Sequence, residues 1–261
     1  MPLFSWDEAA GAGASVAVTT RHGGVSEPPY DSLNLGLHVG DDPRHVIRNR
    51  ERAARAFGVT LDTVIFAEQV HRATATEVRA QDMGRGSRSM DDAIPASDIL
   101  VTSSAGITLV ILVADCVPLA LLDPEARVLA AVHAGWRGTA AGAIAHAMDA
   151  MRRLGARPGR TMAFLGPAVP PASYQVTSEV THALSRAVAP AELHPDVARP
   201  DGPDHWQVDL IAANRQQLSL AGIGPERVFE SGTTTSDRDY FSDRASRPCG
   251  RFALMAQLLP T

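Results

Sequence analysis

The sequence contains no lysine, and all 24 of its basic residues are arginine. This absence excludes a lysine Schiff base with a carbonyl substrate. It also excludes the phosphate loop of P-loop proteins and the active site of a protein kinase, since both need a lysine. Any anion that this chain binds must therefore be held by arginine, by backbone N–H groups or by a metal.

Cysteine and long apolar runs are also scarce. Cys116 and Cys249 allow at most one disulfide, which favours reduced thiols in a chain of 261 residues. No basic segment followed by an apolar stretch opens the sequence, and the most apolar run, Ile107–Val113, is too short to span a bilayer. The net charge of −5 argues against a nucleic-acid partner. We expect a cytoplasmic protein that binds neither nucleic acid nor membrane.

The apolar pattern predicts a mixture of short strands and helices. Strands are predicted at 15–21, 63–69, 98–102, 107–114, 128–132 and 161–165, with an apolar continuation at 118–122. Helices are predicted at 43–58, 138–154, 176–188 and 208–220, and polar loops at 81–95 and 189–207. Strands and helices do not alternate strictly and no linker divides the chain, so we expect an α+β fold in a single domain, 1–261.

Three short segments concentrate unusual side chains where apolar strands end, and they contain His71, Cys116 and His133. Two imidazoles and a thiolate match an open catalytic zinc site, in which the fourth position is left for water or substrate. The three residues lie about 45 and 17 positions apart, so no local spacing supports a shared site. A single cysteine on an apolar strand is more often a small core residue. From the residues alone, both interpretations stay open.

Several other catalytic patterns are missing. There is no His-Glu-x-x-His, no Cys-x-x-Cys, no Gly-x-Ser-x-Gly and no zinc-deaminase pattern. None of the nine histidines forms the His-x-His pair of a trinuclear copper cluster. A Cys–His–Asp nucleophile arrangement remains possible, because Cys116, Asp115 and two histidines are available.

The segments Gln69–His71, Ala114–Pro118 and His133–Gly138 resemble the signature of the laccase-domain family. Its members are described as multicopper polyphenol oxidoreductases and as purine nucleoside phosphorylases. The resemblance extends over nearly the whole chain, with further matching segments at 21–26, 32–36, 39–42, 49–50, 166–167, 174–176, 241–242 and 250–251.

This resemblance implies a layered α/β/β/α sandwich with mixed sheets, similar to the cytotoxic-necrotising-factor type of fold. It implies one zinc ion, with copper as the alternative, held by His71, Cys116 and His133. It also implies phosphorolysis of adenosine, guanosine, inosine and S-methyl-5′-thioadenosine, together with deamination of adenosine. Purine nucleosides and phosphate are the expected partners, and the expected assembly is a monomer or a small homo-oligomer.

Phosphate must be held beside C1′ of the ribose, and Arg50 and Arg137 are the candidates. Arg50 is predicted to face away from the apolar side of its helix, and it matches an arginine that is usual in the family. Arg137 follows a predicted ligand by four residues. Its alternative role is to stack on Trp136 or to pair with a carboxylate.

The remaining candidate residues are polar side chains near the three segments. Asp115 is predicted to orient a ligand or to shuttle a proton, and its alternative is to accept a hydrogen bond from a ligating histidine. Gln69 and Asn34 are candidates for contacts with the base or the ribose hydroxyls. Thr233–Thr234 depart from the usual family pattern, as do Asp243–Ala245 after the matching Phe241–Ser242, so we expect differences in a pocket wall or a subunit contact.

Three alternative functions remain open at this point. The first is a copper-dependent polyphenol oxidase. The second is a metal-free cysteine hydrolase that acts on a cell-wall precursor, with Cys116 as its nucleophile. The third is a metal-stabilised binding module without turnover. Metal analysis separates the hydrolase from the others, and a nucleoside assay separates an enzyme from a binding module.

Overall fold

The computed structural model describes residues 3–188 and 191–260. The strands of this part are β1 (Leu3–Ser5), β2 (Ala14–Thr19), β3 (Val64–Ile65), β4 (Ala75–Glu77), β5 (Ile99–Thr102), β6 (Thr108–Val113), β7 (Val117–Asp123), β8 (Val128–Ala134), β9 (Met162–Leu165), β10 (Gln175–Thr177), β11 (Ala198–Pro200), β12 (His205–Val208), β13 (Val228–Glu230) and β14 (Phe252–Leu258). The α-helices are α1 (Asp7–Gly11), α2 (Pro43–Phe57), α3 (Trp136–Ala140), α4 (Ala143–Arg153), α5 (Ser178–Ala187) and α6 (Leu210–Leu220). None of the described helices combines the length and the apolar character that crossing a bilayer requires.

Two mixed sheets form the centre of the molecule. The first has the strand order β1-β2-β14-β6-β3, and the second has the order β13-β9-β7-β8-β5-β4. The inner pairs are antiparallel, whereas the edge pairs β3–β6, β13–β9 and β4–β5 are parallel. A small antiparallel sheet has the order β10-β12-β11.

The side chains of β7 show how the layers stack, since this strand is buried along its whole length. Leu119 and Leu121 belong to the apolar cluster that includes residues of α4, α5 and α6. Ala120 and Leu122 point the other way and pack with β6 and β14 of the first sheet. This alternation follows from the two-residue period of a strand. On the far side of the first sheet, α2 packs through Ala53 and its neighbours. The predicted α+β fold with α/β/β/α layers is therefore confirmed.

Several predicted element boundaries were wrong. The helix predicted at 138–154 is two helices, because Gly142 adopts a left-handed conformation (φ 78°) between α3 and α4. The loop predicted at 189–207 contains β11 and most of β12, and its residues 189 and 190 lie outside the described part of the chain. The strand predicted at 63–69 is only two residues long. Strand β14, in the middle of the first sheet, was not predicted.

The long segment 20–41 is tied to α2 by the buried amide of Asn49, and also by Arg50 and Arg52, which donate to the carbonyl oxygens of Leu35 and Gly23. Asn49 Oδ1 accepts a hydrogen bond from the Val25 N–H at 2.8 Å. Its Nδ2 donates to Ser26 Oγ at 2.8 Å and lies 3.1 and 2.9 Å from the carbonyl oxygens of Ser32 and Asn34. Because this segment has no strand or helix of its own, its path depends on these bonds.

We expect Asn49→Ala to lower the free energy of unfolding by at least about 2 kcal/mol, since several buried polar groups lose their partner at once. Urea denaturation followed by circular dichroism measures the change. The matched control is Arg48→Ala on the exposed face of the same helix, which should change stability by less than about 0.5 kcal/mol. Equal effects of the two substitutions would contradict the role of Asn49.

Candidate metal centre

The chain brings His71, Cys116 and His133 to one place, with their ligand atoms all within 4.8 Å of one another. Cys116 lies in the short connection that leaves β6 in the first sheet and enters β7 in the second. His133 lies near the end of β8, opposite Pro118 of β7, so the strand register places it beside the cysteine. His71 comes from the loop after β3, and its ring centroid is 4.7 Å from that of His133.

The space around the cysteine sulfur is set by Gly135. A Cβ atom at this position would lie 2.6 Å from Cys116 Sγ and 3.5 Å from His71 Nδ1. Any other residue type would therefore displace the sulfur. A thiolate and two imidazoles form a donor set that suits zinc or copper. Because Gly135 has no side chain, the space next to the sulfur stays open.

A buried carboxylate, Asp98, contacts both histidine segments. Its Oδ1 accepts a hydrogen bond from His133 Nδ1 at 2.8 Å. The backbone N–H groups of Val70, His71 and Arg72 also donate to this carboxylate. Burial opposes ionisation of Asp98, but these hydrogen bonds outweigh it and keep the pKa of the carboxyl below its usual value. His133 Nδ1 is thereby occupied, which leaves Nε2 as its free ring nitrogen.

Cys116 and His133 form a coupled acid–base pair. Burial disfavours the thiolate, but the two histidines outweigh this effect and lower the pKa of Cys116 to about 6. Burial likewise disfavours the imidazolium of His133, whereas Cys116 and Asp98 favour it and raise the pKa of His133 to about 9. At neutral pH the metal-free protein therefore holds a thiolate, the ionisation state that both metal binding and nucleophilic attack require.

The three donors open into a cavity of about 360 Å³. Its wall includes the aromatic rings of Trp136 and Tyr174, the imidazole of His38, and the side chains of Gln69, Asp115, Arg137, Asp243, Arg244, Arg247 and Arg251. Desolvation and the charges of Arg251 and Arg50 lower the pKa of His38 to about 4, so this imidazole is neutral at pH 7. The wall is rich in positive charge, which favours an anionic ligand.

The four arginines of the wall differ in how their donors are used. Arg247 and Arg251 both pair with Asp243, at 2.6 and 3.3 Å. Arg244 donates to the carbonyl oxygens of Ser173 and Gln175. The guanidinium of Arg137 has no hydrogen bond or ion pair within residues 3–188 and 191–260, and its central carbon lies 4.3 Å from the ring centroid of Trp136. The predicted stacking on Trp136 is thus present, and the guanidinium still lines the cavity.

The side chains of Gln69 and Asn34, two other predicted site residues, make hydrogen bonds within the protein. The Gln69 amide lines the cavity, but its nitrogen and oxygen both pair with the backbone of Leu112 at 2.8 Å. Asn34 is fully buried outside the cavity wall, where its amide joins Gly36, Asp41 and the N–H of Arg251. Each atom of the Gln69 amide retains one further hydrogen-bonding position, so a contact of Gln69 with the base or ribose stays a prediction. Asn34 lies away from the cavity wall, so the structure corrects its predicted role.

Arg50 is also placed differently from its prediction. It lies on the buried face of α2 and is 1% exposed, so the expectation that it faces away from the apolar side was wrong. Nε donates to the Leu35 carbonyl and Nη1 to that of Gly86, and the guanidinium covers the ring of Phe66. Burial lowers the pKa of Arg50 to about 9. It is absent from the cavity wall described above.

Asp115, next to Cys116, is hydrogen-bonded to the segment 235–244 near the C-terminus. Its carboxylate accepts hydrogen bonds from Thr235 Oγ1, Ser242 Oγ and the Arg244 N–H, at 2.5 to 2.7 Å. The predicted hydrogen bond to a ligating histidine belongs to Asp98 instead. These bonds hold the segment in place, so that Asp243 and Arg244 form part of the cavity wall. The segment that departs from the family pattern is therefore a pocket wall.

Asp98, His38, Arg244, Arg247 and Arg251 were not predicted as site residues from the sequence. The signal for Asp98 was a lone charge immediately before the apolar strand 99–102. The signal for His38 was an imidazole within a short run of apolar residues and glycines at 35–40. Arg244 and Arg251 lie in segments that the family comparison of the sequence had singled out, 241–245 and 250–251, whereas Arg247 had no local signal, because arginines are scattered along the whole chain.

In the metal-free protein, we expect iodoacetamide to modify Cys116 at a nearly constant rate down to about pH 6, and more slowly below, because only then does the thiolate become protonated. Cys249 is the internal control, since burial raises the pKa of its thiol. Peptide mass spectrometry measures both sites, and added zinc should protect Cys116. A Cys116 profile with its midpoint at the ordinary thiol pKa would contradict the coupled pair.

Comparison with known proteins places these features in a family. A sequence model described as "Multi-copper polyphenol oxidoreductase laccase" matches residues 15–259. Purine nucleoside phosphorylase YlmD of Geobacillus stearothermophilus is 38% identical over 239 residues, which cover 90% of this chain and 86% of the relative. Purine nucleoside phosphorylase Cgl2154/cg2365 of Corynebacterium glutamicum is 40% identical over 238 residues, which cover 90% of each chain.

Solved structures agree with the sequence comparison. The crystal structure of YlmD from Geobacillus stearothermophilus superposes with a TM-score of 0.91 at 37% identity, over 95% of this chain and 93% of that chain. The Bacillus licheniformis hypothetical protein YfiH gives a TM-score of 0.91 at 33% identity, over 97% and 94% of the two chains. This chain therefore belongs to the laccase-like, multicopper polyphenol oxidoreductase family, in which its relatives are named purine nucleoside phosphorylases.

Proposed function

We propose that this chain is a zinc-dependent purine nucleoside phosphorylase. It would convert adenosine, guanosine, inosine or S-methyl-5′-thioadenosine, with phosphate, into the free base and a ribose 1-phosphate or its methylthio analogue. It would also deaminate adenosine. The observation that carries the proposal is one cavity that combines the three metal donors with Arg137, a cation that no acidic group neutralises within the described residues.

The donor set fits zinc, with copper as the alternative. His71, Cys116 and His133 would hold the ion, and a thiolate with two neutral imidazoles would leave a zinc site with a charge of about +1 and an open position. When bound, the ion would supply Lewis-acid chemistry next to the substrate. Because the donors are already within 4.8 Å of one another, little rearrangement of the chain is required.

Arg137 is the residue that we assign to phosphate. A guanidinium binds two phosphate oxygens in a fork, and stacking on Trp136 limits its conformations before phosphate arrives. In the reaction, a phosphate oxygen forms a bond to C1′ while the bond from C1′ to the base nitrogen breaks, and its electron pair leaves with the base. The base then takes up a proton. Tyr174 offers an aromatic surface in the same cavity on which a purine can stack.

The cavity geometry also supports a second candidate, the metal-free cysteine hydrolase. Cys116 is held as a thiolate beside His133, and His133 is oriented by Asp98 through its Nδ1. This is the order of nucleophile, base and orienting carboxylate that cysteine hydrolases use. The third member is Asp98, whereas the sequence alone had suggested Asp115. Its substrate would be an amide or ester, and its activity would survive removal of metal.

We expect the purified protein to release adenine from adenosine only when phosphate and the metal are both present. Cys116→Ala should lower the bound metal to background and turnover by at least about 100-fold, since it removes the only thiolate in the donor set. Chromatography of adenine, inosine and ribose 1-phosphate, together with elemental analysis, measures both effects. Cys249→Ser is the control and should keep both. Turnover that survives chelation would favour the cysteine hydrolase.

For Arg137→Ala we expect the KM for phosphate to rise about 10- to 100-fold, which corresponds to one charge-assisted hydrogen-bonded contact. The KM for the nucleoside should change much less, because the guanidinium is assigned to the anion. Steady-state kinetics at varied phosphate measures the change, and Arg48→Ala is the control for loss of an exposed arginine. An unchanged phosphate KM would move the phosphate to other groups of the wall.

A further inference from the structure

Asp98 is a fully buried carboxylate that lies just before β5 and outside the cavity wall. Each of its two oxygens is used by two donors. Oδ1 accepts from the His71 N–H at 3.0 Å and from His133 Nδ1 at 2.8 Å. Oδ2 accepts from the N–H groups of Arg72 at 2.7 Å and Val70 at 3.3 Å. One side chain thus joins two histidines that are 62 positions apart in the sequence.

The contact with the first histidine is made through its backbone. His71 adopts a left-handed conformation with φ 58°, which is unfavourable for a residue with a side chain. In this conformation three successive N–H groups converge on one point and form a concave site for an anion. The Asp98 carboxylate fills that site. Its negative charge therefore stabilises the backbone shape that directs the His71 ring toward the other two donors.

The contact with the second histidine is made through its ring. Because a carboxylate only accepts, His133 must donate from Nδ1, and the lone pair of Nε2 is then available once the ring is neutral. The His133 backbone N–H also donates to the Asp98 carbonyl at 2.8 Å, so the two residues are linked twice. The ring of His133 is 4% exposed, which leaves it little freedom to turn.

We propose that Asp98 is the positioning residue of the metal centre: it holds the backbone of His71 and the ring of His133 in their ligating arrangement before a metal binds. This inference rests on the proposed metal-dependent function, but its test needs no nucleoside turnover. Asp98 touches neither the cavity nor a substrate, so it acts only through the two histidines.

The test is Asp98→Asn, which keeps the shape and removes one acceptor oxygen. An asparagine can satisfy the donors at Oδ1 or those at Oδ2, but its NH₂ group then faces N–H donors at the other position. We expect the dissociation constant for zinc to rise about 10- to 100-fold, as is usual when the acceptor of a ligating histidine is lost. Competition with a coloured chelator measures it in the folded protein.

The matched control is Asp123→Asn. Asp123 is equally buried and also accepts backbone hydrogen bonds through both oxygens, from Glu125, Ala126 and Arg157. It ends β7 at the opposite end of the strand from Cys116, roughly 20 Å away. This variant should lose stability with its zinc dissociation constant unchanged within about twofold. Equal zinc dissociation constants for the Asp98→Asn and Asp123→Asn variants would overturn the proposal.

A second measurement uses the unmodified protein and covers the case in which Asp98→Asn does not fold. In the metal-free protein, the amides of Val70, His71 and Arg72 lie outside strands and helices, so only the carboxylate protects them from exchange. We expect their hydrogen exchange to be at least about 100-fold slower than in an unstructured peptide. Peptide-like exchange would overturn the proposal. If the protein binds no zinc, the proposed function fails, whereas protected amides would still support Asp98.

Discussion

The chain changes sheets between Val113 and Val117, and the candidate site depends on that crossing. Strand β6 ends in the first sheet and β7 begins in the second after only three residues. Asp115 makes so short a crossing possible by adopting a left-handed conformation with φ 86°. Cys116 therefore emerges between the sheets, next to the end of β8. Both sheets are held face to face by apolar burial, so the position of the sulfur is fixed by the whole core.

Two aspartates support this centre in different ways. Asp98 holds the histidine ligands, and Asp115 holds the C-terminal segment through Thr235, Ser242 and Arg244. Cys116 and His133 therefore sit at the end of a sheet and His71 in a loop that Asp98 holds, whereas part of the cavity wall, Asp243 to Arg251, belongs to a segment without strands or helices. Such a division allows the wall, and with it the substrate preference, to change while the donor set stays the same. Two of the divergent residues, Asp243 and Arg244, fall in this wall.

A chain without lysine uses arginine for several purposes, and the fold distinguishes them. Arg50 is buried and donates to carbonyl oxygens, and Arg247 and Arg251 are paired with Asp243. Arg137 is the cavity arginine whose donors have no partner in the described residues. Side chains of one type thus have different capacities to bind an anion, because Arg50 is buried away from the cavity and Arg247 and Arg251 are paired with a carboxylate.

The sequence predicted helix α2 from its apolar pattern, and its resemblance to a known family implied the layered fold and the three candidate donors His71, Cys116 and His133. The helix follows from a local pattern, since apolar periodicity and end residues act over a few positions. The donors lie far apart in the chain and were linked only by the family signature. Only the tertiary structure decided that Asp98 rather than Asp115 supports a histidine, that Asn34 and Arg50 lie behind the wall, and that β14 is a central strand. Each of these depends on contacts between distant segments, where hydrogen-bond partners are chosen by packing and not by spacing along the chain.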